Sequence, residues 1–112
     1  MDKNISALKS DFQNLSGLLQ ALGDEKRQEI IIQLLGDESC SGLQVGELTS
    51  ATGLSRPAVS HHLKILRDAE LVDYRSEARK NFYYVCPKNE KLTQLQNFIG
   101  DVIQYTDRME ES

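Results

Sequence analysis

The sequence predicts a mainly α chain with one small β-hairpin, and three observations lead there. Apolar residues recur at helical spacing in two terminal stretches, residues 5–22 and 90–109. Two helical segments in the middle are separated by the tight turn Thr52-Gly53-Leu54. Directly after them come two runs rich in β-branched and aromatic residues, 71–76 and 81–86, joined by the charged turn Glu77-Ala78-Arg79-Lys80. The predicted order is α-α-α-α-β-β-α, and 112 residues suffice for a single domain, 1–112, with one modest core.

Each element has a local reason. Ile5, Leu8, Phe12, Leu15, Leu19 and Leu22 follow one another at spacings of three and four, which predicts one helix over 5–22. Gly23 is expected to close it in a left-handed cap. Asp24 is the expected N-cap of a helix over 25–35. Ile30, Ile31, Ile32, Leu34 and Leu35 make that helix apolar on most sides, so it is expected at the centre of the core. Residues 36–42 read as a loop, and 45–51 as a short helix with Val45, Leu48 and Ala51 on one face. Gly53 is free to take a positive φ in the turn, and Leu54 points back toward the core.

The next helix is predicted over 56–69. Ser55 is its expected N-cap with Pro57 in the first turn; because a residue before proline resists the α region, Arg56 is the alternative cap. At about 100° per residue, Val59, Leu63 and Leu66 cluster toward the core. Pro57, Ser60, His61 and Lys64 form a polar, cationic band on the opposite side. Pro87 ends the second strand. In the last helix Leu92, Leu95, Ile99, Val102 and Met109 keep the helical spacing, with Phe98, Ile103 and Tyr105 broadening the face; the tail 110–112 is expected to fray.

Together, residues 45–69 read as a helix-turn-helix and 71–86 as a β-hairpin wing, a unit that reads double-stranded DNA. The outward band is what a helix lying in a major groove needs. Arg79 and Lys80 at the wing tip, with Arg75 nearby, could reach a phosphate or a narrow minor groove. The charge distribution agrees. The whole chain carries −4, yet residues 55–80 hold six cations against four acids, a local +2 on a body of −6. Binding then depends on correct docking rather than on coating nucleic acid. The two terminal apolar stripes exceed what so small a core can bury, which predicts a homodimer joined through them.

Other classes find little support. No acids, bases and nucleophile converge by motif, and there is no glycine-rich phosphate loop, so no enzyme and no cofactor are expected. No apolar run approaches the roughly 18 residues of a membrane span. The N-terminus lacks the apolar core of a signal peptide, so the cytosol is the expected location. A winged helix used only as a protein-interaction module would show apolar residues in the outward band, where this chain has Pro57, Ser60, His61 and Lys64.

The stretches ALGDEKRQEIIIQLL, VGELTSATGLSRPAVSHHLKILRDAELV and RSEARKNFYYV resemble the ArsR/SmtB family of bacterial winged-helix repressors, over roughly residues 18–85. The motif S-R-P-A-V-S-H-H-L-K-I-L is highly specific; its common family form differs mainly at the second residue, here Arg56. Glu25 stands where the family often has proline. The resemblance implies a homodimer that binds an inverted-repeat operator and releases it when an effector binds. It carries recognition-helix positions onto Arg56, Pro57, Ser60, His61 and Lys64.

The effector is where the sequence departs from the family. One family metal site reads L-C-V-C-D-L; here the stretch is Leu43-Gln44-Val45-Gly46-Glu47-Leu48, without a thiolate. A second family site uses Asp and His on the last helix, where this chain keeps Asp101 and Asp107 but has no His or Cys. Carboxylates alone are poor partners for Zn²⁺ or Ni²⁺, so no metal site is expected. His61 and His62 diverge by about 100° and do not chelate one ion together. Some family members sense oxidants or reactive sulfur through a cysteine near the position of Cys40 and a second on the last helix. Cys40 is thus a candidate thiol sensor, but Cys86 lies at the end of the wing strand instead, where packing is its expected role.

Overall fold

The computed structural model describes residues 4–111. They run α1 (Ile5–Asn14), α2 (Ser16–Leu22), α3 (Glu25–Leu35), α4 (Val45–Thr52), α5 (Arg56–Asp68), β1 (Val72–Glu77), β2 (Lys80–Val85) and α6 (Glu90–Glu111). The core joins Leu15, Leu18 and Ala21 from the N-terminal segment to Ile30, Leu34, Leu48 and the inner face of α5, with Leu71 and Val72 closing it.

The predicted helix over 5–22 is two helices that meet at Leu15. Its apolar seam serves two surfaces. Leu15 is 1% exposed in the core, while Phe12 remains 54% exposed and stacks on Phe98 of α6 with ring centroids 5.0 Å apart. The Ser16 hydroxyl donates back to the Phe12 carbonyl at 3.4 Å, a local bond that competes with the helix ladder where the chain bends. Gly23 does not take the expected left-handed cap; its φ is −84°. The end of α2 is closed by side chains of α3 instead. Arg27 Nε donates to Ala21 O at 2.8 Å and Arg27 Nη2 to Gln20 O at 3.0 Å, while Gln28 Nε2 donates to Leu22 O at 2.7 Å.

Asp24 caps α3 as predicted, accepting from the amides of Lys26 and Arg27 at 2.8 and 3.0 Å. The helix is less central than its composition suggests. It buries Ile30 and Leu34, but Ile32 and Leu35 are 64% and 62% exposed, because only one stripe of α3 meets the core. In the following loop Asp37 accepts from Ser39 Oγ at 2.6 Å and from Gly42 N at 2.9 Å. Gly42 has φ +91°, and a Cβ there would lie 2.9 Å from Phe82 Cβ. That close approach lets Leu43 exchange two backbone bonds with Tyr83, at 2.9 and 2.8 Å, adding a third short segment to the hairpin that was not predicted.

Gly53 takes the left-handed conformation at φ 75° between α4 and α5. Ser55, not Arg56, is the N-cap of α5, accepting from Ala58 N at 3.3 Å. Strands β1 and β2 pair antiparallel from Val72 opposite Val85 to Glu77 opposite Lys80. The predicted four-residue turn is therefore a two-residue turn, Ala78-Arg79, with both residues at positive φ, 49° and 69°. That is the type I′ pattern whose twist matches a hairpin.

Helix α6 starts on the Asn89 cap, which accepts from Leu92 N at 3.0 Å. Asn89 Nδ2 also donates to Glu70 O at 2.8 Å, and Lys91 pairs with Glu70 at 3.6 Å. The beginning of α6 is thus fastened to the chain just beyond α5. The helix continues through the predicted fraying at 110 and 111, and Ser112 lies outside the described residues. Phe12 on α1 and Leu92, Ile99, Ile103 and Met109 on α6 leave large apolar side chains exposed. The chain is 59 Å long and 23 Å across.

Candidate nucleic-acid interface

Helix α5 is held from within and presented outward. Val59, Leu63 and Leu66 are buried, and Pro57, Ser60, His61 and Lys64 are all exposed on the opposite side, as the helical wheel predicts. Behind them His62 is half-buried, its Nδ1 3.4 Å from Arg27 Nη1. A guanidinium only donates, so Nδ1 is the acceptor and the ring is neutral in this contact. Burial pushes the His62 pKa below the ordinary histidine value, with the Arg27 and His61 charges adding to the shift and Asp24 opposing it. The wing is tied to the same helix: the Arg67 guanidinium lies 4.4 Å over the Tyr74 ring and pairs with Asp73 at 3.6 Å.

The cations of this unit fall into two groups. Lys64 pairs with Asp68 at 3.3 Å, Arg67 with Asp73, and Arg75 with Glu77 at 3.3 Å. Arg56, Arg79 and Lys80 have no acidic partner among the described residues, and they line one groove of about 290 Å³ with Gln44, Val45, Gly46 and Asn81. The first turn of α4 forms the floor, and a Cβ on Gly46 would stand 3.5 Å from Arg56 Nη1. The structure therefore brings Arg56 to the wing tip, although the two are separated in sequence.

Arg75 is not part of that group. It is half-buried; its Nη1 donates to Ser41 O, and its guanidinium lies 4.9 Å over the Phe82 ring. It lines a cavity of about 450 Å³ with Leu34, Asp37, Cys40 and Tyr84. The Asp37 carboxyl there is held below the ordinary aspartate value, chiefly by the Ser39 hydroxyl and then by the Gly42 amide. Cys40 is exposed, with φ 56°, and its thiol is free. Cys86 is also free but half-buried, and burial raises its pKa, with the Asp73 charge adding to the rise. Among the described residues no three His, Cys, Asp or Glu side chains come together as a metal site. No described helix is long and apolar enough to cross a membrane.

Sequence reasoning missed Arg27, Asn89 and the Leu43–Tyr83 bridge, which position the site without touching its outer face. Their signal is tertiary. Arg27 reads as an ordinary helix cation until α2 is folded back beside it.

A recognition helix with a polar outer band, a left-handed glycine turn before it and a cation-tipped hairpin after it define a winged helix-turn-helix regulator that binds DNA. A profile described as "Bacterial regulatory protein, arsR family" matches residues 24–74. The HTH-type transcriptional regulator YgaV of Escherichia coli K12 is 36% identical over 86 residues, which is 77% of this chain and 82% of YgaV. The transcriptional activator HlyU of Vibrio cholerae is 39% identical over 80 residues, 71% of this chain and 70% of HlyU. The crystal structure of a predicted DNA-binding transcriptional regulator from E. coli superposes with TM-score 0.65 at 32% identity, over 88% of this chain and 99% of that one. The chain belongs to the ArsR family of bacterial transcriptional regulators, a family of DNA-binding proteins rather than enzymes.

Proposed function

We propose that the protein works as a homodimer that occupies an inverted-repeat operator, represses transcription in the cytoplasm, and is released by an effector. In this reading the helix-turn-helix over 45–69 reads the operator, with Pro57, Ser60, His61 and Lys64 facing the major groove. The wing over 71–86 reaches the backbone through Arg79 and Lys80. The segments 5–22 and 90–109 join the two copies. The observation that carries the reading is the exposed polar band of α5 set opposite a fully buried apolar face. The exposed apolar residues of α1 and α6, Phe12 and Ile99 among them, support the dimer. A dimer's two-fold axis then requires half-sites about one helical turn apart, roughly 34–36 Å, or a multiple of it.

The test is selection of genomic fragments by the pure protein, followed by titration of the selected duplex and a random one. His61→Ala should cost roughly 1–3 kcal/mol on the selected duplex and little on the random one, since base contacts carry the sequence information. Equal loss on both duplexes would make His61 scaffold rather than reader. A promoter fusion reads the sign of regulation, which is to be measured because one relative, HlyU, is named an activator.

A further inference from the structure

We infer that Arg56, Arg79 and Lys80 act together as one clamp on a single backbone phosphate, so that Arg56 is not a base reader. The inference rests on the DNA-binding reading above and names the partner of one part of that surface.

Three observations converge on the groove between α4 and the wing tip. The first is the sorting of charge. Residues 55–80 contain four acids, Asp68, Glu70, Asp73 and Glu77, and each is engaged: with Lys64, Lys91, Arg67 and Arg75 respectively. Of the six cations in that stretch, the three left without an acid among the described residues are the three that line one groove. Like charges repel, so gathering them costs free energy unless an anion sits between them. The second observation is the wing tip. Ala78 and Arg79 occupy left-handed positions that Asn-Gly would fill with less strain. A long charged side chain held there against strain points to a task for Arg79. The third is the floor of the groove. Gln44 precedes α4 without a side-chain cap bond, and Gly46 presents no side chain. The amides of that first turn add partial positive charge to the groove. Glu47 in the same turn is exposed and does not line the groove.

The geometry separates Arg56 from the residues that follow it on α5. All four side chains are exposed, but only Arg56 reaches the first turn of α4 and lines the groove. A guanidinium there meets the phosphate strand that borders the groove, and its forked donors suit phosphate oxygens. The clamp would fix the angle between wing and recognition helix on the duplex, because one phosphate touches both.

The experiment is a methylphosphonate scan. A duplex selected by the wild-type protein is made with one neutral linkage at a time across a half-site. Affinities are measured for wild type, Arg56→Gln, Lys80→Gln and Arg79→Gln, after thermal melts show that the variants fold. One linkage should weaken the wild type about ten-fold and weaken each of the three variants less than three-fold, and it should be the same linkage for all. Each variant should lose affinity on random duplex as well, with a smaller salt slope. The clamp is wrong if Arg56 and the wing variants are insensitive at different linkages. It is also wrong if Arg56→Gln keeps the salt slope and loses only preference for the selected duplex, the behaviour of a base reader. Failure of the DNA reading itself looks different: no duplex would be selected, and His61→Ala would change nothing specific.

Discussion

Replacing the wing turn Ala78-Arg79 by Asn-Gly should make the protein more stable and a weaker DNA binder. The left-handed conformation costs a non-glycine residue about 1–2 kcal/mol, and here two successive residues adopt it, at φ 49° and 69°. Asn tolerates that region and Gly occupies it freely, although the added glycine loosens the unfolded chain by about 0.4–1 kcal/mol. The net gain is about 1 kcal/mol, a rise in Tm of about 4 °C for a domain of this size. The opposite effect falls on DNA. On the proposed reading, removing Arg79 deletes one phosphate contact, worth about 0.9 in the slope of log K against log salt. Between 1 M and 0.15 M salt that slope amounts to about a five-fold loss of affinity at the lower concentration. Urea unfolding followed by far-UV circular dichroism reads the first quantity, and salt-dependent titration of a duplex reads the second. The single change Ala78→Asn separates them, since it should gain stability and leave DNA binding unchanged. A double variant no more stable than wild type would refute the strain argument. Unchanged affinity at 0.15 M salt would remove Arg79 from the DNA surface.

Ile99→Asp, at a side chain 49% exposed on α6, should give a folded monomer in sedimentation at micromolar concentration; a dimer that persists would place the interface elsewhere. The same change at Leu15 would instead unfold the chain, because that side chain is 1% exposed in the core. Arg27→Leu should cost about 2–4 kcal/mol in urea unfolding, since it strips the donors from Ala21 O and Gln20 O at the end of α2, and a cost under about 1 kcal/mol would refute that role. The His62 pKa is lower in the folded chain than in the unfolded one, so the unfolded state takes up protons first. Its contribution to stability is whole above about pH 6.5 and is lost as pH falls through that value toward the folded pKa. His62→Gln should flatten the decline between pH 7 and 5, whereas Asp24 and Asp37, held low in the fold, act only below about pH 4.

The parts legible in the sequence are those governed by neighbours along the chain. Asp24 and Ser55 cap their helices because a short polar side chain reaches an amide two or three residues on. Val59, Leu63 and Leu66 face inward because helical spacing puts them on one face. The parts not legible there depend on partners distant in sequence. The seam over 5–22 satisfies the helical spacing throughout, yet Phe12 meets Phe98 while Leu15 enters the core, and only the presence of α6 divides them. Gly23 looked like a left-handed cap because its composition allows one, but Arg27 and Gln28 already satisfy the carbonyls that such a cap would serve. Arg75 stands near the wing tip in sequence, and its bond to Ser41 O, in a loop 34 residues earlier, cannot be read from that position.

The recognition unit is therefore fastened at two places to the segments proposed to join two copies. Near its middle, His62 meets Arg27, which holds the end of α2. Beyond its C-terminus, the backbone of Glu70 is bonded to Asn89 at the start of α6. In a dimer built on α1 and α6, the separation of the two reading helices is set by the tilt of α6. That helix has 22 residues, about 33 Å at 1.5 Å per residue. A tilt of about 10° moves one end relative to the other by about 6 Å, more than the roughly 3.4 Å between successive phosphates along one strand of the duplex axis. In the proposed dimer, release from an operator would need no change inside the winged unit, only a small rotation where the copies meet, and an effector would have to bind one tilt better than the other to produce it.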